Sequence, residues 1–325
     1  PYELSKNSFS VIICFPVIFF FIVVSAIMRV EGFPKFSAAV LIISNLLIVI
    51  LSYILIKYFN MGVAGSGWGM ILGFLIGNIM LSYYFFSKER TLKFCKYNFK
   101  DLKELLPTVI LTGLPNGATN IFTLLRIFTL NILILGIFNT VGVAIYALCV
   151  NVVYFSYIFV RGVANTLLTI SGVLFGDKDY NGILKVLKTG FCVTLLSSIV
   201  FIIIFAFFPE LICNIYGLKS AEEITLTDKA LKAFTFCVPF YGINYLFMCY
   251  FQCIKREKFS FVISALDNFV IVTFLVLLIT KFNAELLWWG YPAAEVIMLL
   301  IITSYCLYYS KKDNLSFPFL LPKKN

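Results

Sequence analysis

Four charged residues interrupt otherwise apolar stretches of the chain: Arg126, Arg161, Asp267 and Glu295. Left to lipid, each would cost about 2.5 to 3.5 kcal/mol at mid-bilayer, so each is expected to be paired or hydrated. Two are carboxylates, which change charge on binding a proton or a cation. Arginine stays charged and serves only to balance them. The chemistry in reach is a proton or cation relay, with structural ion pairing or snorkelling as the plainer role. Counted inward from the ends of their spans, Arg126 and Glu295 fall in the outer half of the membrane and are expected to pair. Arg161 and Asp267 lie towards the cytoplasmic side.

Uncharged polar residues recur around these charges at helical period. Asn116, Asn120, Thr123 and Asn131 fall near one face of the fourth apolar span, beside Arg126. Asn151, Tyr154, Arg161, Asn165 and Thr169 do the same on the fifth span, and Tyr241, Asn244, Tyr245, Met248 and Gln252 on the seventh. Lipid cannot satisfy such groups, so they face other helices or water. A single Asn or Thr among them reads as an interhelical hydrogen bond, worth roughly 0.6 kcal/mol. Three polar faces together point to a cavity for a substrate or an ion.

The chain has no histidine, which removes the commonest general base and metal ligand. No nucleophile stands beside an apparent base, so no enzyme is expected, and no metal or cofactor beyond a coupling ion. The nine cysteines lack a paired Cys-x-x-Cys spacing and read as small hydrophobes.

The elements that must position these residues are membrane helices. At 61% hydrophobic, 18% aromatic and 13% charged, the chain is far more apolar than a soluble domain of its length. Apolar runs long enough to cross a bilayer occur at 8–28, 36–59, 65–86, 106–138, 141–175, 183–208, 231–253, 259–279 and 286–309, which makes nine spans. Placing the connections 29–35, 87–105, 176–188, 254–258 and the tail 310–325 on one side gathers 18 of the 26 Lys and Arg there, against six on the other and two within spans. The C-terminus is therefore expected in the cytoplasm and the N-terminus outside. That distribution accounts for the net charge of +10 without a nucleic-acid partner.

The organising feature is a duplication. A shift of 223 positions places Cys14 on Cys237, Pro16 on Pro239, Lys35-Phe36-Ser37 on Lys258-Phe259-Ser260, and Asn45 on Asn268. Closing up two residues carries Trp68 and Gly69 onto Trp289 and Gly290. Each half is expected to use a helix with a mid-span proline, a basic hinge and a helix with a buried asparagine. The expected architecture is an all-α integral membrane protein, a two-lobed helical bundle with a parallel internal repeat. Residues 1–86 form a partial N-terminal lobe of three helices and 106–309 a C-terminal lobe of six, joined by a basic linker, 87–105. Nine of an inferred twelve helices are thus present, with three expected upstream of Pro1. The linker sets aromatic residues among cationic ones and reads equally as an interfacial helix or a solvated connection. In the third span Gly65, Gly69, Gly73 and Gly77 recur every four residues, as close helix packing requires.

These residues resemble a known family. Arg29, Gly32 and Pro34 after the first span, Asn45, Gly62 and Gly65, Gly113-Leu114-Pro115, Asn131, and Gly172 with Gly176 are similar in order and spacing to the multidrug and toxic compound extrusion (MATE) transporters. The resemblance covers nearly the whole chain. It implies a monomeric plasma-membrane antiporter of twelve helices that exports small organic, often cationic, compounds against inward sodium or proton flow. There are two departures. The acidic residue many members carry on the fourth span is replaced by Thr123 or a neighbour, and Val49 stands where an aspartate often follows the Asn45 motif. The alternative reading is a flippase for lipid-linked oligosaccharides of the same superfamily, kept open by Arg126 and Arg161.

Overall fold

The computed structural model describes residues 2–86, 99–207, 209–215 and 220–322. Most of the linker 87–105 lies outside them. The architecture is all-α and membrane-spanning, with ten helical elements among the described residues: α1 (Tyr2–Val30), α2 (Pro34–Lys57), α3 (Gly62–Phe86), α4 (Phe99–Gly176), α5 (Tyr180–Phe207), α6 (Pro209–Ile215), α7 (Ala221–Cys253), α8 (Glu257–Ala265), α9 (Ile271–Phe282) and α10 (Gly290–Lys312). A π-helical turn, Leu266–Val270, joins α8 to α9 into one span, and a 3-10 turn, Ala284–Trp289, leads into α10.

Seven described helices are long and apolar enough to cross a membrane. The nine predicted spans map onto these for local reasons. The fourth and fifth spans follow one another within α4 as two helices that meet at a kink at Asn139, whose φ of 55° and ψ of −157° turn the chain out of helical geometry. The first lies in α1, whose described apolar part, Cys14–Arg29, is shorter than a full crossing.

The chain separates into two compact units, Pro1–Tyr97 and Asn98–Asn325. In the first, α3 lies against α2 along the glycine stripe. A Cβ on Gly69 would stand 2.6 Å from the Ser52 backbone nitrogen, and one on Gly73 2.4 Å from Ile48 Cγ1. Side chains there would force the two helices apart, so the stripe is a packing surface.

The duplication is visible in three dimensions. Gly32 ends α1 with φ +89°, and its counterpart Lys255 ends α7 with φ +58°. Phe33 N–H donates to the Met28 carbonyl at 2.9 Å, and Arg256 N–H to the Phe251 carbonyl at 2.8 Å. One turn later Ser37 Oγ donates to the Ser25 carbonyl at 3.0 Å, and Ser260 Oγ to the Met248 carbonyl at 2.8 Å. Each pair differs by 223 positions. One difference is informative: Asn268 is buried but Asn45 is exposed, contrary to the expected buried asparagine in each half. Thr123 on α4 covers Asn268 at 3.3 Å, whereas Asn45, among the described residues, bonds back to the Leu41 carbonyl of its own helix.

The stretch that follows α10, residues 315–322, is folded. Leu315–Ser316 and Leu321–Pro322 pair as a two-residue antiparallel hairpin. It seats the Phe319 ring against Phe191, Phe247 and Tyr250.

Candidate functional site

The second unit is organised around α7. Of its most apolar stretch 78% is buried, against 11 to 50% in the other candidate spans. A helix so largely enclosed is where polar side chains must find protein partners, and α7 carries Asn244 in its C-terminal half.

Asn244 is fully buried, as nearly are Asp267 (4% exposed) and Glu295 (3%). Its Nδ2 donates to Glu295 Oε2 at 2.9 Å, to the Glu295 carbonyl at 3.0 Å and to Asp267 Oδ1 at 3.4 Å. The two carboxyl groups also interact directly. One amide therefore ties together α7, the π turn and α10. The π turn makes this possible: Ile271 N–H reaches back five residues to the Leu266 carbonyl. Within the widened turn Asp267 reaches α7 while its neighbour Asn268 receives the Thr123 hydroxyl of α4. Such turns are frequent at functional sites.

A polar seam continues from this cluster towards the α7–α8 hinge. Thr119 Oγ1 lies 2.8 Å from Ser264 Oγ and 3.6 Å from Met248 Sδ. Beyond it Asn116 Nδ2 donates to Gln252 Oε1 at 3.2 Å, and Gln252 Nε2 donates to the Thr112 carbonyl. Asn116, Thr123, Asn244, Met248, Gln252, Asp267 and Glu295 are thus brought together. Thr119, Ser264 and Asn268 join them without having been singled out as site residues. Thr119 falls three residues after Asn116 and four before Thr123, and Ser264 four before Asn268, spacings that mark common helix faces.

Neither arginine makes a direct ion pair with the carboxyl groups among the described residues, although the Arg126 charge acts on both Asp267 and Glu295. Among the described residues Arg126 and Glu295 form no ion pair. The Arg126 guanidinium lies 5.9 Å over the Tyr291 ring, and its Nε has no partner. Arg161 Nε and Nη2 each lie 3.4 Å from Tyr241 Oη, at a column in which Tyr157, Tyr241 and Tyr245 stack at 3.8 and 5.7 Å. Tyr154 meets Tyr157 edge-on at 6.0 Å. Asn131 borders a separate pocket of about 280 Å³, and Asn120, Asn151 and Asn165 are exposed.

The repeat shows what is particular to the second unit. Asn244 and Asp267 correspond by the 223 shift to Phe21 and Ser44, and Glu295 by the closed-up shift of 221 to Phe74. In the first unit Phe21 and Phe74 touch, with ring centroids 5.2 Å apart. A Cβ on Gly77 would strike both Ser44 Oγ and the Phe21 ring, at 2.2 and 2.7 Å. The three positions meet in both units, yet only the second places carboxyl groups there. No group of three His, Cys, Asp or Glu among the described residues is placed to hold a metal ion. The cluster instead offers two carboxyl groups and Asn244 Oδ1, a buried oxygen without a partner.

The MatE family profile matches residues 115–278, half of the chain and most of the helices that build this cluster. The chain is a member of the MatE family. Solved structures agree with this at the level of fold. A MATE in complex with MaD5 superposes with a TM-score of 0.83 at 16% identity, over 92% of this chain and 67% of that one. An outward-facing multidrug resistance MATE family transporter of the MOP superfamily gives 0.81 at 16% identity, over 88% and 64%. A MOP superfamily transporter from Pyrococcus furiosus, described as having a binding pocket of reverse polarity, gives 0.79 at 16% identity, over 88% and 64%. This MatE chain spans just under two thirds of the length of the last two relatives. No curated protein matches it by sequence.

Proposed function

We propose that this MatE chain works in a secondary active antiporter that exports small organic cations by alternating access, driven by inward sodium or proton movement. The observation that carries the reading is the Asn244–Asp267–Glu295 cluster. Two carboxyl groups enclosed in protein and sharing one amide donor cannot both carry charge uncompensated. A single proton, or a sodium ion held by oxygens of both carboxylates and by Asn244 Oδ1, leaves one negative charge, which the charge of Arg126, acting on both groups, offsets. Because the cluster bonds α7 to the π turn and α10, loading it changes how these helices are held and so biases one conformation over another. On this reading the protein acts as a plasma-membrane monomer with its C-terminus in the cytoplasm.

In liposomes, the full-length protein is expected to move a cationic dye when a sodium or proton gradient is imposed. Asp267→Asn and Glu295→Gln should each remove the gradient-driven component. Gradient-driven transport untouched by both substitutions would overturn the coupling role. The second reading, a flippase for lipid-linked oligosaccharides, is favoured by Arg126, whose Nε has no partner, together with Arg161. It gains if the protein ignores dyes and lipid-linked sugars cross instead.

A further inference from the structure

A groove of about 630 Å³ runs along the outside of the second unit between the later part of α4 and α5. Two glycines shape it. A Cβ on Gly162 would meet nothing within 4 Å, and one on Gly190 would stand 3.2 Å from Leu167 Cδ1, so the groove is open at 162 and tightly floored at 190. Its length follows from the helical rise: from Ile158 to Ile170 along α4 is about 18 Å. The two hydroxyls that line it are spent on their own helices. Thr166 Oγ1 donates to the Gly162 carbonyl and Thr189 Oγ1 to the Lys185 carbonyl, each at 2.9 Å. The wall is therefore effectively apolar, except at one end.

That end carries Lys185, which is exposed and, among the described residues, has no hydrogen-bond or ion-pair partner for its ammonium. The nearby Asp179 carboxylate is engaged by the Gly182 N–H at 2.9 Å. An apolar trench of acyl-chain length with one unneutralised cation at its mouth is the complement of an amphiphile with an anionic head. In the orientation expected from the basic loops, Lys185 lies at the cytoplasmic membrane face, where anionic headgroups are found. We infer that the α4–α5 groove is a binding site for one acyl chain of an anionic phospholipid, with Lys185 on its headgroup phosphate. The inference does not depend on what the protein transports.

The test is native mass spectrometry of the full-length protein, purified in detergent and given equimolar phosphatidylglycerol and phosphatidylcholine of matched chain length. The wild type should retain phosphatidylglycerol about fivefold over phosphatidylcholine, the preference one lysine near the membrane surface supplies. Lys185→Gln should bring the ratio near one, and Lys188→Gln, also exposed but outside the groove, should leave it unchanged. Gly162→Leu, which fills the open part, should reduce the retained lipids of either kind by one. A wild-type ratio near one would overturn the proposal. So would an equal effect of Lys188→Gln, which would make the preference a general surface charge, or unchanged lipid retention in a folded Gly162→Leu variant. Both lysine variants are surface changes, so the headgroup result stands even if Gly162→Leu does not fold.

Discussion

Asn244 holds Glu295 at two points, donating from the same amide nitrogen to its side chain at 2.9 Å and to its main-chain carbonyl at 3.0 Å. The carboxylate is thereby fixed relative to the first turns of α10, and Asp267 is brought in from the π turn by a third, longer contact at 3.4 Å. The bonding partner of Glu295 is thus Asp267 through Asn244, and not Arg126. Double-mutant cycles separate the two possibilities. Asp267→Asn with Glu295→Gln should show a coupling energy above about 1 kcal/mol in thermal stability, as directly interacting groups do. Arg126→Met with Glu295→Gln should couple more weakly. The reverse order would mean that the arginine, not the amide network, controls the site.

The hinge offers a test of the duplication. Lys255 holds φ +58° where Gly32 holds +89°. A side chain in that region costs about 1 kcal/mol that glycine does not incur. Lys255 is exposed, so Lys255→Gly should raise the melting temperature in detergent by the equivalent of about 1 kcal/mol. Lys255→Ala should give no such gain. Equal effects of glycine and alanine would show that the strain is absent and the benefit comes from removing the charge.

The repeat and the membrane spans were legible in the sequence because they are written in residue type and spacing. The alignment that pairs Ser37 with Ser260 also pairs Ser25 with Met248, and the structure bonds both pairs alike. The carboxyl cluster was legible only in part. Asp267 and Glu295 stood out as charges in apolar spans, but counting from span ends placed them in opposite halves of the membrane. Both lie close enough to the middle to meet, and sequence does not say that α10 and the π turn are neighbours. The π turn itself follows from where hydrogen bonds go, which composition does not encode. The hairpin at 315–322 was hidden for another reason: strands of two residues have no periodicity to read.

That hairpin is more than a loose tail. The Tyr250 hydroxyl donates to the Phe319 carbonyl at 2.5 Å, and Leu320 and Leu321 are 4% and 2% exposed. Truncating the Phe319 ring removes contacts with Phe191, Phe247 and Tyr250, and because the residue is half-buried it contributes only part of the roughly 1.5 to 3 kcal/mol that full burial supplies. Phe319→Ala should therefore lower thermal stability measurably, while Phe317→Ala, at an exposed ring, should change it little. Indistinguishable melting temperatures for the two variants would show that the hairpin is not docked in solution.

Orientation is the last prediction, and the site of the bound lipid depends on it. The asymmetry of 18 basic residues against six predicts the α4–α5 turn in the cytoplasm and the end of α9 outside. Lys178 in that turn and Lys281 in the last turn of α9 are both exposed, so each can report from its own side. In a background with the nine native cysteines replaced, Lys281→Cys should react with a membrane-impermeant maleimide in intact cells. Lys178→Cys should react only after permeabilisation. If the pattern is reversed, the charge bias is being overridden by a stronger signal elsewhere, the C-terminal hairpin lies outside, and Lys185 faces the outer leaflet. Labelling of both positions in intact cells would be incompatible with α5 and the α8–α9 span crossing the membrane with these two ends on opposite sides, and would overturn the topology itself.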